Sequence, residues 1–348
     1  MRIRGIGRLQ LMARRVRNLV SPGALVLIYH RVATLETDPL LLAVEPKNFA
    51  QHLEVLKRVA RATSLGALIT ELRGKKVPRQ GVVITFDDGT VDNLSHARPL
   101  LEQHDTPATV FVVSGCAGQA RDLWWYELEH NILRPGKLPE HLVLRTDGPD
   151  FQWDLNSAAD YSCTEAQKHR GWNVLAKEDE CGRHKLYRAL LDLLRSMEVS
   201  ARHRTLQQLR EWSGTMTKAD PEHAVLSHSQ INELARDGLV EIGAHTVNHP
   251  VLSLLPRESQ RQEIIQSRDE LSEIIGRPIE SFAYPYGTRS DYTEETVDLV
   301  RTAGFACACS NFTGDVHPGV DLFQLPRFVV RNWDGDEFER RLRDWFRG

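Results

Sequence analysis

Three short runs in this chain carry groups that could act together chemically. In Thr85-Phe86-Asp87-Asp88-Gly89 an apolar stretch runs into two adjacent carboxylates and a glycine. Alternation at a strand end points the two acids in different directions, so one can hold a metal while its neighbour faces a substrate. In His245-Thr246-Val247-Asn248-His249-Pro250 two imidazoles stand four residues apart, a metal-ligand spacing when the chain makes a helical turn. One carboxylate and two histidines supply three ligands and leave a position for water, the pattern of a catalytic metal site. The third run, Phe282-Ala283-Tyr284-Pro285-Tyr286-Gly287, is a turn able to aim a backbone N–H at a site. Singly, each has an ordinary reading: an Asp-Gly turn, surface or capping histidines, a plain turn.

The elements around these runs give them a common place. Apolar runs over 24–29, 82–86, 108–113, 240–244, 281–284, 305–310 and 322–330 predict strands. Helical spacing over 47–61, 93–104, 257–275, 293–303 and 337–346 predicts helices between them. Repeated strand–helix units imply a mostly parallel sheet. All three runs then lie at strand ends, where the active sites of parallel α/β barrels gather. Between about 119 and 223 the alternation stops, and the pattern turns irregular and then helical, notably over 185–212. With no Gly/Ser/Pro tract to set it off, this stretch reads as an insertion into a unit spanning 24–348.

Together, and in this order, the three runs resemble the motifs of the polysaccharide deacetylase family (carbohydrate esterase family four, the chitin-oligosaccharide deacetylase homology domain). The resemblance implies an α/β fold, a distorted (β/α) barrel with fewer than eight strands, here carrying a mainly helical insertion. It implies a metal-dependent hydrolase that removes the N-acetyl group from an amino sugar. Asp87 is then the general base, and Asp88, His245 and His249 are the metal ligands. The Tyr286 backbone N–H becomes the oxyanion donor. The implied cofactor is a divalent ion, zinc first, with Co²⁺, Ni²⁺ or Mn²⁺ as other ions. Two positions depart from the family pattern. Ala283 stands where an arginine often orients the base; Arg327, in Leu325-Pro326-Arg327-Phe328, is the candidate substitute and Arg331 the runner-up. The usual late Leu-x-x-His is missing, and His317 is the only histidine after Gly287. Leu27-Ile28-Tyr29-His30 at the end of the first strand resembles the permuted, exopolysaccharide-deacetylating subgroup, in which the acid histidine comes from the N-terminal side. His30 is accordingly the expected acid.

Composition narrows the field from outside. A net charge of −3 over 348 residues makes no global case for nucleic acid, and no apolar run approaches the ~18 residues of a membrane span. Residues 1–35 hold seven arginines and no acid, so the remainder carries −10. The basic, partly apolar segment 1–23 lacks signal-peptide logic and has two readings: a helix packed on the barrel, or peripheral contact with an anionic membrane. Five scattered cysteines without a CxxC pair point to a reduced compartment. The expected place is cytoplasmic, at or near the inner membrane, and the expected partner is an N-acetylated sugar, oligosaccharide or lipid-linked precursor. Trp124 and Trp125 read as core or as sugar-stacking aromatics. Other functions stay open: a deformylase, O-acetyl esterase or ring amidohydrolase of the same superfamily, or a decayed barrel that binds glycans.

Overall fold

The computed structural model describes residues 23–119, 122–215 and 223–347. The basic segment 1–23 thus lies outside the described residues except for Gly23. The main sheet follows a path of seven parallel strands: β1 (Leu25–Tyr29), β2 (Gly81–Phe86), β3 (Ala108–Val112), β4 (Val240–Ala244), β5 (Ser281–Ala283), β6 (Cys307–Cys309) and β7 (Phe328–Val329). Their spatial order is β6-β5-β4-β3-β2-β1-β7. A two-residue strand, Arg61–Ala62, pairs beside the start of β2, off this path. Leu325, just ahead of β7, bridges Cys309 of β6. The sheet therefore curls towards closure as a distorted (β/α) barrel of seven strands.

The strands are unbroken Val/Ile/Leu/Phe runs because both of their faces are buried. One face looks inward: Val26, Val83, Phe111, Ala283, Cys307 and Cys309 share a cluster with Leu65, Leu68, Ile69 and Leu72. Those four leucines and isoleucines belong to α2 (Leu65–Arg73), which plugs the end of the barrel where the strands begin. Gly243 makes room inside, since a Cβ there would lie 2.4 Å from the Phe111 ring. The other face packs on helices α1 (Pro46–Val59), α8 (His228–Ala235), α9 (Arg257–Ile275), α10 (Glu294–Thr302) and α11 (Gly335–Arg347).

A second core lies over the other end. There Trp124, Trp125, Leu128 and Ile132 of α4 (Trp124–Leu133) meet Leu186, Leu190 and Leu194 of α6 (Gly182–Ser196). Leu206 and Leu209 of α7 (Val199–Ser213) complete it. Between α4 and α6 come an antiparallel hairpin, His141–Leu144 with Phe151–Asp154, and the short α5 (Cys163–His169). No helix among the described residues is long and apolar enough to cross a membrane. All five cysteines are free thiols.

Four elements differ from the sequence-based expectation for local reasons. The helix expected over 93–104 opens as a wide π-type turn, Asn93–Ala97, before α3 (Arg98–Gln103). Pro99 has no N–H to continue the regular ladder through that turn. The strand expected over 322–330 shrinks to β7, because Asp321 accepts the Phe323 N–H at 3.0 Å in a turn and Pro326 cannot donate. Helices α2 and α8 arise where no element was predicted, each started by a serine whose hydroxyl accepts a first-turn N–H, Ser64 from Ala67 and Ser227 from Gln230.

Candidate active site

The strands deliver the three runs to one end of the barrel. Val83 and Thr85 alternate inward along β2, so Asp87 follows on the same side, its N–H bonded to Tyr29 O at 3.0 Å. There it meets Arg327, one residue ahead of β7. Arg327 Nη1 donates to Asp87 Oδ1 and Nη2 to Asp87 Oδ2, both at 2.7 Å. The fork is completed by Nη1 to Thr85 Oγ1 at 3.2 Å and Nε to Ser310 O at 2.7 Å. Phe111 lies under the guanidinium, 5.7 Å from ring centre to Cζ. Both partners are buried, so this is a bidentate ion pair without solvent competition. Arg331, the runner-up, instead donates to Leu41 O and lines the cleft.

Asp88 takes a left-handed φ of 74°, which turns its side chain away from Asp87's direction. Its Oδ1 lies 3.7 Å from Nε2 of both His245 and His249. His245 Nδ1 is 2.8 Å from Ala283 O, so that nitrogen carries the proton and Nε2 keeps its lone pair towards the aspartate. The His249 ring is held between Trp125, tilted at 4.9 Å, and Tyr286, edge-on at 4.7 Å.

The loop carrying both histidines is fixed from outside by a residue with no sequence motif. Glu263 of α9 accepts the N–H groups of Val247 and Asn248, each at 2.9 Å, and Asn248 Nδ2 at 2.8 Å. Thr246 Oγ1 accepts the His249 N–H at 3.0 Å. Thr246 and His249 both have positive φ, 64° and 52°, and Tyr286 has 59°. Non-glycine residues pay on the order of 1–3 kcal/mol each for such backbone. With Asp88, four of these strained residues fall inside the three runs. In the third run Gly287 N donates to Pro285 O at 2.6 Å, while Asn311 anchors the turn through its N–H to Gly287 O at 2.7 Å. The Tyr286 N–H has no acceptor among the described residues.

His30 follows β1 and lines the same cleft of about 300 Å³ with Asp87, Asp88, His245, His249 and Tyr286. Its backbone is held by residues just downstream of the aspartates. Asn93 Nδ2 donates to His30 O at 2.9 Å, and Asp92 accepts Arg31 Nε at 2.9 Å and the Val32 N–H at 2.8 Å. His317 pairs with Asp315 next to Gly23, at the opposite end of β1. Trp124 and Trp125 are buried in the second core and also line the cleft as part of its wall.

The electrostatics separate the two aspartates. Burial pushes the Asp87 carboxyl up, but Arg327 and then His245 outweigh it, and the net shift is downward. Burial and the neighbouring Asp87 push the Asp88 carboxyl well up. Burial holds both imidazoles down, His249 further than His245 because His245 adds to it. Asp88 and the two histidines thus form a buried set in which burial opposes charge on all three groups and, among the described residues, no side-chain cation pairs with the carboxyl. That donor set fits a divalent ion: zinc at ~2.0–2.2 Å from each ligand puts tetrahedral ligands about 3.4 Å apart, near the observed 3.7 Å. The three ligand atoms all lie within 4.8 Å of one another.

Comparison with known proteins agrees with this geometry. The family model described as polysaccharide deacetylase matches residues 74–134 and 179–308. A Bacillus subtilis (strain 168) protein, YxkH, whose name places it with the polysaccharide deacetylases, is 28% identical over 133 residues. That match covers 36% of this chain and 46% of YxkH, so the chain spans under half the length of this curated relative. Among solved structures, the Streptococcus pyogenes deacetylase PplD in complex with acetate is similar over 92% of this chain and 99% of its own, at 17% identity and a TM-score of 0.57. IcaB from Ammonifex degensii is similar over 94% and 98%, at 21% identity and a TM-score of 0.57. At these identities the structural likeness is one of fold.

Proposed function

Since the chain belongs to the polysaccharide deacetylase family, we propose that it removes N-acetyl groups from an amino sugar, in a polysaccharide or a glycolipid precursor. The observation that carries this reading is the division of labour between adjacent aspartates: Asp87 clamped by Arg327, and Asp88 facing two imidazoles. An ion held by Asp88, His245 and His249 would polarise the acetyl carbonyl and lower the pKa of a water towards ~7. Asp87, kept ionised by Arg327, accepts a proton from the attacking water. The Tyr286 N–H donates to the acetyl oxygen as charge develops there; losing such a donor typically costs ~2.7–4 kcal/mol.

The leaving amine needs a proton, and we assign its delivery to His30. Burial holds the His30 imidazole down to about 4, only partly offset by Asp87, so it rests neutral. It becomes the acid by taking up the proton that Asp87 removes from the attacking water, favoured as negative charge develops on the acetyl oxygen, and the imidazolium then passes that proton to the leaving amine. Trp124, Trp125 and the Tyr286 ring form the wall on which a sugar can stack.

The chemistry of the substrate is decided by an acetate-release screen. N-acetylated hexosamine oligosaccharides and lipid-linked or nucleotide-linked N-acetyl sugars should release acetate in a metal-dependent reaction. O-acetyl or N-formyl sugars turned over faster would replace this reading by esterase or deformylase activity, and binding without turnover would mark a decayed barrel. For residues 1–23 we propose peripheral contact with an anionic leaflet on the cytoplasmic side. The six arginines of 1–23 support it, since each basic residue near such a surface contributes about 1 kcal/mol.

A further inference from the structure

Away from the cleft, the layer of hairpin and helices gathers three side chains of another kind. His169 ends α5, Cys181 is the residue that caps the start of α6, and His184 lies in the first turn of α6. Their ligand atoms all lie within 4.8 Å of one another. His184 is 3% exposed and stacks flat on Trp172, 4.1 Å between ring centres with 2° between planes. Its Nδ1 has no hydrogen-bond partner. A buried polar nitrogen left so costs about 1–3 kcal/mol unless something binds it. His169 stands edge-on to His184 at 5.5 Å, and its Nδ1 is 3.4 Å from the Tyr161 hydroxyl, which orients the ring and leaves Nε2 unengaged. The Cys181 side chain makes no cap hydrogen bond.

We propose that His169, Cys181 and His184 bind a second divalent ion of the zinc class, separate from the ion of the deacetylase cleft. One thiolate with two imidazoles is a nitrogen–sulfur set that selects zinc over magnesium or calcium. Zinc at ~2.0–2.1 Å from nitrogen and ~2.3 Å from sulfur needs ligand atoms roughly 3.4–3.6 Å apart, a small contraction of the observed group. Cys163 lines a cavity of about 290 Å³ with His169 and His184 but stands outside the ligand group, so the fourth position falls to solvent. The residues lining this cavity include none of those lining the cleft.

The ion would act as a clip. It ties the end of α5 to the start of α6 across residues 170–180, a segment whose Val174 N–H bonds Pro39 O at 2.8 Å. Further along α6, Leu191, Asp192 and Arg195 form one wall of the cleft, beside Leu40 and Leu42. The site therefore holds a wall of the cleft without contributing to the chemistry. The inference does not depend on the deacetylase reading, because its ligands, cavity and test are its own.

Cobalt(II) added to the full chain after metal removal is the direct probe. The unsubstituted protein should develop a sulfur-to-cobalt charge-transfer band that saturates by two equivalents, one for each site. The band should be lost in Cys181→Ser and kept in Asp88→Asn, whose site contains no sulfur. Zinc content of the protein as purified should fall by one equivalent per chain in His169→Gln. Absence of the band in the unsubstituted protein, a measurement that needs no variant to fold, would overturn the proposal. So would a band that survives Cys181→Ser, or zinc content unchanged in His169→Gln.

Discussion

Asp87 is set by two opposed forces, burial and the Arg327 fork, and the fork is what a substitution can remove. Lysine offers a point charge where arginine offers two parallel donors. In Arg327→Lys the carboxyl should therefore rise, and the acid limb of the kcat/KM profile should move to higher pH at saturating metal. An acid limb that stays in place would mean that Asp87 is not the base. Arg327→Ala should cost more, on the order of 3–5 kcal/mol of stability at neutral pH, because it leaves a buried carboxylate unpaired. Since the folded Asp87 pKa is depressed, the pair's contribution is complete above ~3.9 and is lost as pH falls through the folded value. His30→Ala should lower kcat by roughly 10²–10⁴ with a smaller change in KM, as expected for a group that acts after binding. A change confined to KM would make His30 a binding residue. The position of Arg327 next to Asp87 could be anticipated only because Ala283 departs from the family pattern; nothing in Leu325-Pro326-Arg327-Phe328 itself says that its side chain turns inward.

Legibility changes at the level of elements. The buried strands and the amphipathic α9 are written in continuous apolar runs and helical spacing, and α9 occupies the predicted 257–275 with Gly276 in the left-handed conformation after it. The short α2 and α8 lack a long periodic face, and their start signals are single serines, so they stay invisible until packing selects them. The hairpin at His141–Leu144 and Phe151–Asp154 is likewise set by pairing across an exposed face. Glu263 shows the same limit at the site. It sits in a charged helix like any surface acid, and only the fold brings it under the His245–His249 loop. Removing it frees two backbone N–H groups and the Asn248 amide. Glu263→Ala should weaken metal binding by about 10–100-fold, and added metal should restore most of kcat. Unchanged metal affinity, measured by competition with a chelator, would reduce Glu263 to a structural acid. Cys181 and His184, spaced C-x-x-H, are a readable signal, but only the fold brings His169 beside them.

At the scale of the whole molecule, two cores enclose one cleft. The barrel supplies the acids and the histidines, and α4 and α6 supply the aromatic and charged walls. The basic segment 1–23 adds a proposal about place that the full chain can test. Anionic vesicles should sediment the full chain, with binding that weakens as salt shortens the ~8 Å screening length, and should leave behind a chain starting near Ser21. Equal binding of the two chains, or none by either, would remove the membrane contact.

The central claim is that neighbouring aspartates divide base and ligand roles in one hydrolytic site. It is tested by measuring acetate release from an N-acetylated oligosaccharide and the cleft's metal content in parallel for Asp87→Asn and Asp88→Asn. Asp87→Asn should keep the ion and lose roughly 10²–10⁴ in turnover, while Asp88→Asn should lose both the ion and the activity. Loss of the ion in Asp87→Asn, or full turnover by Asp88→Asn without it, would contradict the assignment.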